Sequence, residues 1–213
     1  MLPRPRAVVF DMDGLLLNTE NLRMLAVDDC ARLLDAPVRR DVFAAFVGGA
    51  SPQARAALDA HMSELPPEFW TVYRQCAERR MADVRPMPGA LALLDDLAAR
   101  AIPCAIATSA THAAVARYGA ALDVPRRFAA VIAKGDYECA KPAPDAYRAA
   151  AARLGVAPHT CWALEDSYNG VRAAAAAGMT TIMAPNIVPA TADIRALCAV
   201  VVDGLDDVRA LLD

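Results

Sequence analysis

The sequence lacks the features that mark several classes of protein. The apolar run at residues 7–10 ends at Asp11, and the Ala-rich stretches are interrupted by arginine, so neither a signal peptide nor a membrane span is predicted. The 22 lysines and arginines are outnumbered by 25 acidic residues, which excludes the basic excess typical of nucleic-acid binding. The six cysteines form no CxxC pair and no Cys/His cluster, which argues against a zinc site and favours a reducing compartment. We therefore expect a cytoplasmic protein with no nucleic-acid or membrane partner.

The order of apolar segments predicts the fold class. The chain has 213 residues, 56% of them hydrophobic, which is enough for one full domain or a domain with a small insertion. Short apolar runs at 7–10, 102–108, 129–133, 161–164, 181–184 and 199–202 alternate with helical patterns at 89–100, 111–122, 144–154, 170–177 and 205–212. Apolar strands without polar alternation are typical of a parallel sheet covered on both faces. The sequence therefore predicts an α/β fold with a doubly wound parallel sheet.

One stretch interrupts this alternation. Between residues 16 and 85 the sequence has only helical patterns, at 21–34, 52–62 and 67–81. A proline-rich linker at 85–89 follows them. We therefore predict an α/β core of residues 1–15 and 86–213, into which an all-helical segment of residues 16–85 is inserted.

Residues that could carry chemistry lie at the ends of four predicted strands or shortly after them. They are Asp11, Asp13 and Gly14 for the first strand, Thr108 and Ser109 for the second, Lys141 for the third, and Glu165 and Asp166 for the fourth. In open parallel sheets, ligands bind at this carboxyl edge. Taken singly, each acid could be a turn residue, each hydroxyl a helix cap, and the lysine a solvated loop residue. Carboxylates packed together are costly unless a cation compensates them, so the group as a whole indicates a site.

Magnesium is the cation that these side chains would suit. Mg²⁺ takes oxygen ligands, usually one or two carboxylates with water and substrate phosphate, and Asp11 and Asp166 can supply the carboxylates. Lys141 would add positive charge near a phosphoryl group, and Thr108 would donate a hydrogen bond to it. A carboxylate nucleophile that forms an aspartyl phosphate is an established form of covalent catalysis. The pattern therefore predicts Mg²⁺-dependent phosphoryl transfer with a small phosphorylated substrate.

The segments FDMDGLLLNTE, ATSA, KPAPDAY and LEDSYNGVRAAAAAGM resemble, in order and context, the four signature motifs of the haloacid dehalogenase-like hydrolase superfamily. The resemblance covers essentially the whole chain and implies a Rossmann-like core. The helical insertion is similar to the small cap of the subgroup that includes β-phosphoglucomutase, phosphoglycolate phosphatase and sugar-phosphate phosphatases.

The resemblance implies a role for each motif residue. Asp11 would be the nucleophile, and Asp13 the general acid and base, with its backbone carbonyl on the metal. Asp166 would bind Mg²⁺ directly and Glu165 mainly through water. The phosphate would be held by Thr108, Ser109 and Lys141, above a backbone turn at Gly14.

The substrate is the least determined part of this prediction. Asn18 stands where many relatives have aspartate, and Arg23 is a cation of the insertion that could either contact substrate or lie on a solvated helix face. A phosphatase for a sugar phosphate or nucleoside monophosphate is the leading hypothesis. A phosphomutase is the alternative, although Arg23 occupies the position where the mutase has a histidine; a non-catalytic binding module is a third. We expect a monomer or weak dimer.

Overall fold

The core of the protein is a parallel β-sheet. A computed structural model describes residues 2–49 and 51–212. Six strands form the sheet in the order β3-β2-β1-β4-β5-β6. They are β1 (Ala7–Phe10), β2 (Cys104–Thr111), β3 (Ala130–Lys134), β4 (Cys161–Glu165), β5 (Thr180–Met183) and β6 (Val200–Val201). All neighbouring pairs are parallel, so the predicted doubly wound α/β fold is confirmed.

Helices surround this sheet and fill one long connection. They are α1 (Thr19–Leu34), α2 (Arg40–Gly49), α3 (Pro52–Met62), α4 (Phe69–Arg80), α5 (Ala90–Ala99), α6 (His112–Tyr118), α7 (Val124–Arg127), α8 (Asp145–Arg153), α9 (Tyr168–Ala176), α10 (Ala192–Arg195) and α11 (Leu205–Ala210). No helix in the described ranges is long and apolar enough to cross a bilayer.

Both faces of the sheet are buried, which explains why its strands read as continuous apolar runs. Along β1, Val8 and Phe10 belong to one buried cluster, which includes side chains of α5 and α11. Ala7 and Val9 belong to a second cluster on the opposite face, together with side chains of α8 and α9. Since each strand packs on both sides, polar residues are confined to its ends. The reactive residues therefore lie near the carboxyl ends of the strands or in the loops that follow them.

The helices α1–α4 pack around a hydrophobic cluster of their own, which includes Met24, Val27, Phe43 and Phe69. This segment leaves and rejoins the sheet at adjacent points. The Asn18 amide donates to the Arg85 carbonyl (3.1 Å), and the Met87 amide to the Leu16 carbonyl (2.9 Å). The two segments that connect the insertion to the core are thus hydrogen-bonded to each other, near the predicted boundaries of the insertion.

The structure differs from the sequence prediction in this segment. Helix α1 begins at Thr19, two residues before its predicted start, and helix α2 has no predicted counterpart. The α2 sequence ends in two glycines, which indicate a loop when taken alone. Its Val42 and Phe43 are nevertheless buried in the helical cluster. This burial stabilises a helix whose intrinsic propensity is modest.

Candidate active site

The predicted site residues meet at the carboxyl edge of the sheet, around a cavity of about 510 Å³. Six of them line it: Asp11, Asp13, Arg23, Thr108, Ser109 and Lys141. Glu165 and Asp166 are buried beside Asp11. Strand ends that are far apart in sequence therefore bring one group of side chains together, as the parallel topology requires. The cavity wall also includes residues that the sequence argument missed, among them Glu20 and Lys134.

Lys141 is held between two carboxylates. Its Nζ lies 2.5 Å from Asp11 Oδ1 and 2.6 Å from Glu165 Oε1, and its side chain is 6% exposed. Burial alone would lower the pKa of Lys141, but the charges of Asp11 and Glu165 outweigh burial and raise that pKa well above its usual value. Lys141 is therefore a fixed positive charge beside Asp11.

Glu165 is anchored on both of its oxygens. Oε1 accepts from Lys141 and from the Tyr147 hydroxyl (2.6 Å), while Oε2 accepts from the amides of Asp166 (3.1 Å) and Ser167 (3.3 Å). The carboxylate packs directly against the first turn of α9, where a Cβ on Gly170 would overlap it. Glycine at 170 thus makes the space that Glu165 occupies, and Tyr147 is a partner that sequence reasoning missed.

Three carboxylates form a group that could hold a metal ion. Oxygen atoms of Asp11, Glu165 and Asp166 lie within 4.8 Å of one another, and all three residues are buried. Burial, only partly offset by Lys141, raises the pKa of Asp11 to about 7. Burial and the charges of Glu20 and Asp11 raise the pKa of Asp166 well above its usual value. Neither oxygen of Asp166 has a hydrogen-bond partner among the described residues. Unpaired buried carboxylate oxygens are costly, and a bound cation would compensate them, so the donor set fits a hard divalent ion.

Asp13 is oriented by the first turns of α1. Its Oδ1 accepts a hydrogen bond from Thr19 Oγ1 (2.7 Å) and lies 3.4 Å from Arg23 Nη2. The Asp13 side chain is 15% exposed, so it reaches the cavity while held from the side of the helical insertion. The early start of α1 places Thr19 in this position.

Gly14 shapes the turn that follows Asp13. Its amide donates to the Leu17 carbonyl (2.8 Å), and its φ of 87° lies in the region that favours glycine. A Cβ there would overlap Asp166 Oδ2. The Gly14 carbonyl accepts from Asn186 Nδ2 (3.0 Å), a contact that sequence reasoning missed. Gly14 lies beside the main cavity and is not part of its wall as described.

The hydroxyl residues near the carboxyl end of β2 face the same space, within the strand as the structure has it. Thr108 is fully buried, and its Oγ1 accepts from the Ala110 amide (3.0 Å), which leaves its own proton to donate to a ligand. Ser109 is exposed and lines the cavity. Lys134, at the end of β3, is also exposed there, and it forms no ion pair with any described residue.

Comparison with known proteins agrees with this geometry. The chain is 33% identical over 188 residues to a probable pseudouridine-5'-phosphatase of Drosophila melanogaster, covering 84% of this chain and 80% of that protein. It is 31% identical over 189 residues to the fructose-1-phosphate phosphatase YqaB of Escherichia coli, covering 85% and 97%. It spans less than half of two other curated relatives, 17% of one and 46% of the other.

A solved structure shares the fold. The HAD family hydrolase of Deinococcus radiodurans, determined with bound phosphate and sodium, superposes with a TM-score of 0.79 at 26% identity, over 97% of this chain and 94% of that one. Residues 5–178 match the haloacid dehalogenase-like hydrolase family, which spans both halves of the site just described. The chain belongs to the haloacid dehalogenase-like hydrolase family.

Proposed function

We propose that the protein is a Mg²⁺-dependent phosphatase that acts on a small phosphorylated metabolite through an aspartyl phosphate on Asp11. The observation that carries the proposal is the pairing of Asp11 with Lys141 beside a carboxylate, Asp166, whose buried oxygens have no hydrogen-bond partner in the described part of the chain. A nucleophile held by a cation next to a cation-binding group is what phosphoryl transfer needs, because positioning and charge compensation supply most of its catalysis.

The chemistry would proceed in two transfers. An Asp11 oxygen attacks phosphorus as the bond to the leaving oxygen breaks, and Asp13 gives that oxygen its proton. Asp13 then takes a proton from water, which attacks the phosphorus and returns Asp11 to its carboxylate. The contacts from Thr19 and Arg23 support this role by fixing the Asp13 carboxyl at the cavity.

The residues would divide the remaining work as follows. Asp11 and Asp166 would hold Mg²⁺ with the Asp13 backbone carbonyl, and Glu165 would act on it through water, since both Glu165 oxygens already accept hydrogen bonds. The bound ion would reduce repulsion between the phosphate dianion and the attacking carboxylate. Thr108, Ser109 and Lys141 would bind the phosphoryl oxygens, over the turn that Gly14 makes.

Residues 16–85 would act as a cap domain over the core. Their two hydrogen-bonded crossings, near Asn18 and Arg85, could absorb a rotation, and closure would exclude water during transfer. The named relatives act on a sugar phosphate and, by its name, pseudouridine phosphate, which supports the sugar phosphate or nucleoside monophosphate class. Arg23, in the cavity wall, would contact the substrate from the cap side.

A screen of phosphorylated metabolites for phosphate release, with Mg²⁺ present, tests the function. Strong release from one compound class is the expected result. Interconversion of phosphate isomers without release would instead establish the phosphomutase. Absence of both, with intact folding and Mg²⁺ binding, would contradict an enzymatic role for the site.

The Mg²⁺ affinity of the free protein should rise as the pH increases from about 6 to about 8. Asp11, with its pKa near 7 in the metal-free protein, is mostly protonated at the lower pH, so Mg²⁺ must displace a proton there. Above the pKa the carboxylate is already charged and the competition ends. Calorimetric titrations at several pH values, in buffers of different ionisation enthalpy, would measure both the affinity and the protons released. An affinity independent of pH would remove Asp11 from the metal site.

A further inference from the structure

The buried carboxylates of the site include one that the motif argument did not use. Glu20, in the first turn of α1, is 8% exposed, and its Oε2 has no hydrogen-bond partner among the described residues. The only other buried side-chain oxygens in that condition, within the same described ranges, are the two of Asp166. Burying an unpaired carboxylate oxygen is costly. Glu20 and Asp166 therefore both need a compensating group.

Two of the unpaired oxygens lie close together, beside Gly14. A Cβ on Gly14 would overlap Asp166 Oδ2 and would lie 2.8 Å from Glu20 Oε2, so both oxygens face the same side of this residue. Glu20 also lines the cavity that contains Asp11 and Asp13. In the part of the chain described, no arginine or lysine lies within ion-pair distance of Glu20. Glu20 Oε2 therefore lies beside Asp166, one of the carboxylates that would hold the metal.

We propose that Glu20 contributes an oxygen to the coordination shell of the divalent cation, alongside Asp11 and Asp166. Mg²⁺ accepts six oxygen ligands, so protein carboxylates, the Asp13 carbonyl and substrate phosphate leave room for one more donor. Glu20 belongs to the helical insertion, whereas Asp11 and Asp166 belong to the sheet. The cation would therefore bond both parts of the chain, and metal loading would hold the start of α1 against the core. This inference rests on the proposed metal site.

The test compares metal binding, not turnover, in Glu20→Gln and wild type. Calorimetry should show Mg²⁺ binding to the free variant weakened by about tenfold or more, the usual scale for lost support at a metal site. Thermal unfolding gives an independent readout. Because Glu20→Gln removes one of several crowded anions, we expect it to unfold in chelator at a temperature no lower than wild type, and to gain less from added Mg²⁺.

Two further variants sharpen this experiment. Glu68→Gln makes the same change at an exposed position of the insertion and should leave Mg²⁺ binding unaltered. Glu20→Asp keeps the charge and should bind Mg²⁺ more tightly than Glu20→Gln, which protects the test if one variant folds poorly. Equal Mg²⁺ affinity and equal Mg²⁺-induced stabilisation in wild type and Glu20→Gln would overturn the proposal. Absence of Mg²⁺ binding by wild type would contradict the proposed metal site itself.

A separate observation concerns the substrate. The sequence has 22 basic residues, of which only two are lysines, Lys134 and Lys141, and both line the same cavity. Lys141 forms ion pairs with Asp11 and Glu165. Arg23 lies beside Asp13. Lys134 alone among these cavity cations forms no ion pair within the described ranges, so its charge is available to a ligand.

We infer that Lys134 binds a second anionic group of the substrate, a phosphate or a carboxylate, in addition to the phosphate that is transferred. An ammonium group offers three donors without demanding the planar geometry of a guanidinium, so it accepts either anion. This inference deepens the proposed function and depends on it. Within the small phosphorylated metabolites, the preferred substrate would then carry a second anion, as a sugar bisphosphate or a phosphorylated acid does.

Matched substrate pairs distinguish the two anions. One pair is a hexose bisphosphate and its monophosphate; the other is phosphoglycolate and 2-hydroxyethyl phosphate. We expect wild type to prefer the doubly anionic member of at least one pair. Lys134→Ala should lose about tenfold of that preference, mainly through KM, because a charged hydrogen bond is lost. Lys134→Arg should recover part of it.

The control replaces a remote cation. Arg126→Ala, at an exposed arginine preceding β3, should keep the wild-type preference. A wild-type enzyme that hydrolyses monophosphates but shows no preference in either pair, or a preference unchanged in Lys134→Ala, would overturn this inference. Failure of wild type to hydrolyse any phosphate ester would instead contradict the proposed function.

Discussion

Replacing Asp11 by asparagine should abolish turnover, with kcat reduced by at least about a thousandfold, since loss of a covalent nucleophile removes the reaction path itself. The fold should survive, because the change is nearly isosteric. Burial already penalises the Asp11 charge in the metal-free protein, raising its pKa to about 7. The variant should therefore unfold in chelator near pH 8 at a temperature no lower than wild type does.

Three measurements check this result. Initial rates give the loss of kcat, thermal unfolding in chelator shows that the fold is intact, and mass spectrometry after acid quenching looks for a hydroxylamine-sensitive phosphorylated protein in wild type alone. Asp59→Asn makes the same change at a half-exposed residue of α3 and should have wild-type rates. More than a few per cent of wild-type activity in Asp11→Asn, or a phosphorylated form of that variant, would mean that another residue is the nucleophile.

The second large effect is expected at Gly170, which contacts no substrate in the proposed mechanism. An alanine Cβ there would overlap the Glu165 carboxylate, so Glu165 must move and give up its contacts to Lys141 and Tyr147. Overpacking of this kind costs about 1–3 kcal/mol of stability. Lys141 would lose Glu165, one of its two carboxylate partners, and would keep only Asp11. Misplacement of a catalytic group by about 1 Å can lower the rate by about a hundredfold. We expect kcat/KM of Gly170→Ala to fall by about that factor.

Gly204→Ala is the matched control for this prediction. Gly204 has extended backbone, and a Cβ there meets no atom within 4 Å, so the substitution should change neither stability nor rate. Thermal unfolding and kcat/KM measured for both variants separate a local effect of the methyl group from a general effect of removing glycine. Wild-type kcat/KM in Gly170→Ala would mean that the Glu165–Lys141 contact does not support catalysis.

The sequence predicted the sheet well because burial on both faces leaves a strong pattern. Continuous apolar runs gave all six strands to within a few residues, and parallel topology then placed Asp11, Thr108, Lys141 and Asp166 at one edge without further information. Side chains that follow parallel strands have little freedom to be elsewhere, so this part of the site could be derived from local patterns.

The residues that were missed depend on packing between distant segments. Glu20 reaches the site only because α1 starts at Thr19, and a helix start is among the least predictable features of a sequence. Tyr147 and Asn186 reach it from α8 and from the chain after β5, through contacts that no local pattern encodes. The need for glycine at position 170 likewise arises only because the Glu165 carboxylate packs against it in the fold.

The scarcity of lysine has a practical consequence for labelling chemistry. The chain has only two lysines beside its arginines and three histidines. Lys141 is 6% exposed and paired with two carboxylates, so its amine is protonated and shielded. Lys134 is the one lysine side chain open to solvent, and it lies in the cavity wall. A lysine-directed probe, such as an activated ester or an aldehyde with borohydride, would therefore mark the mouth of the active site by ordinary amine reactivity. A fluorophore attached there would report on ligand entry and on movement of the helices above it.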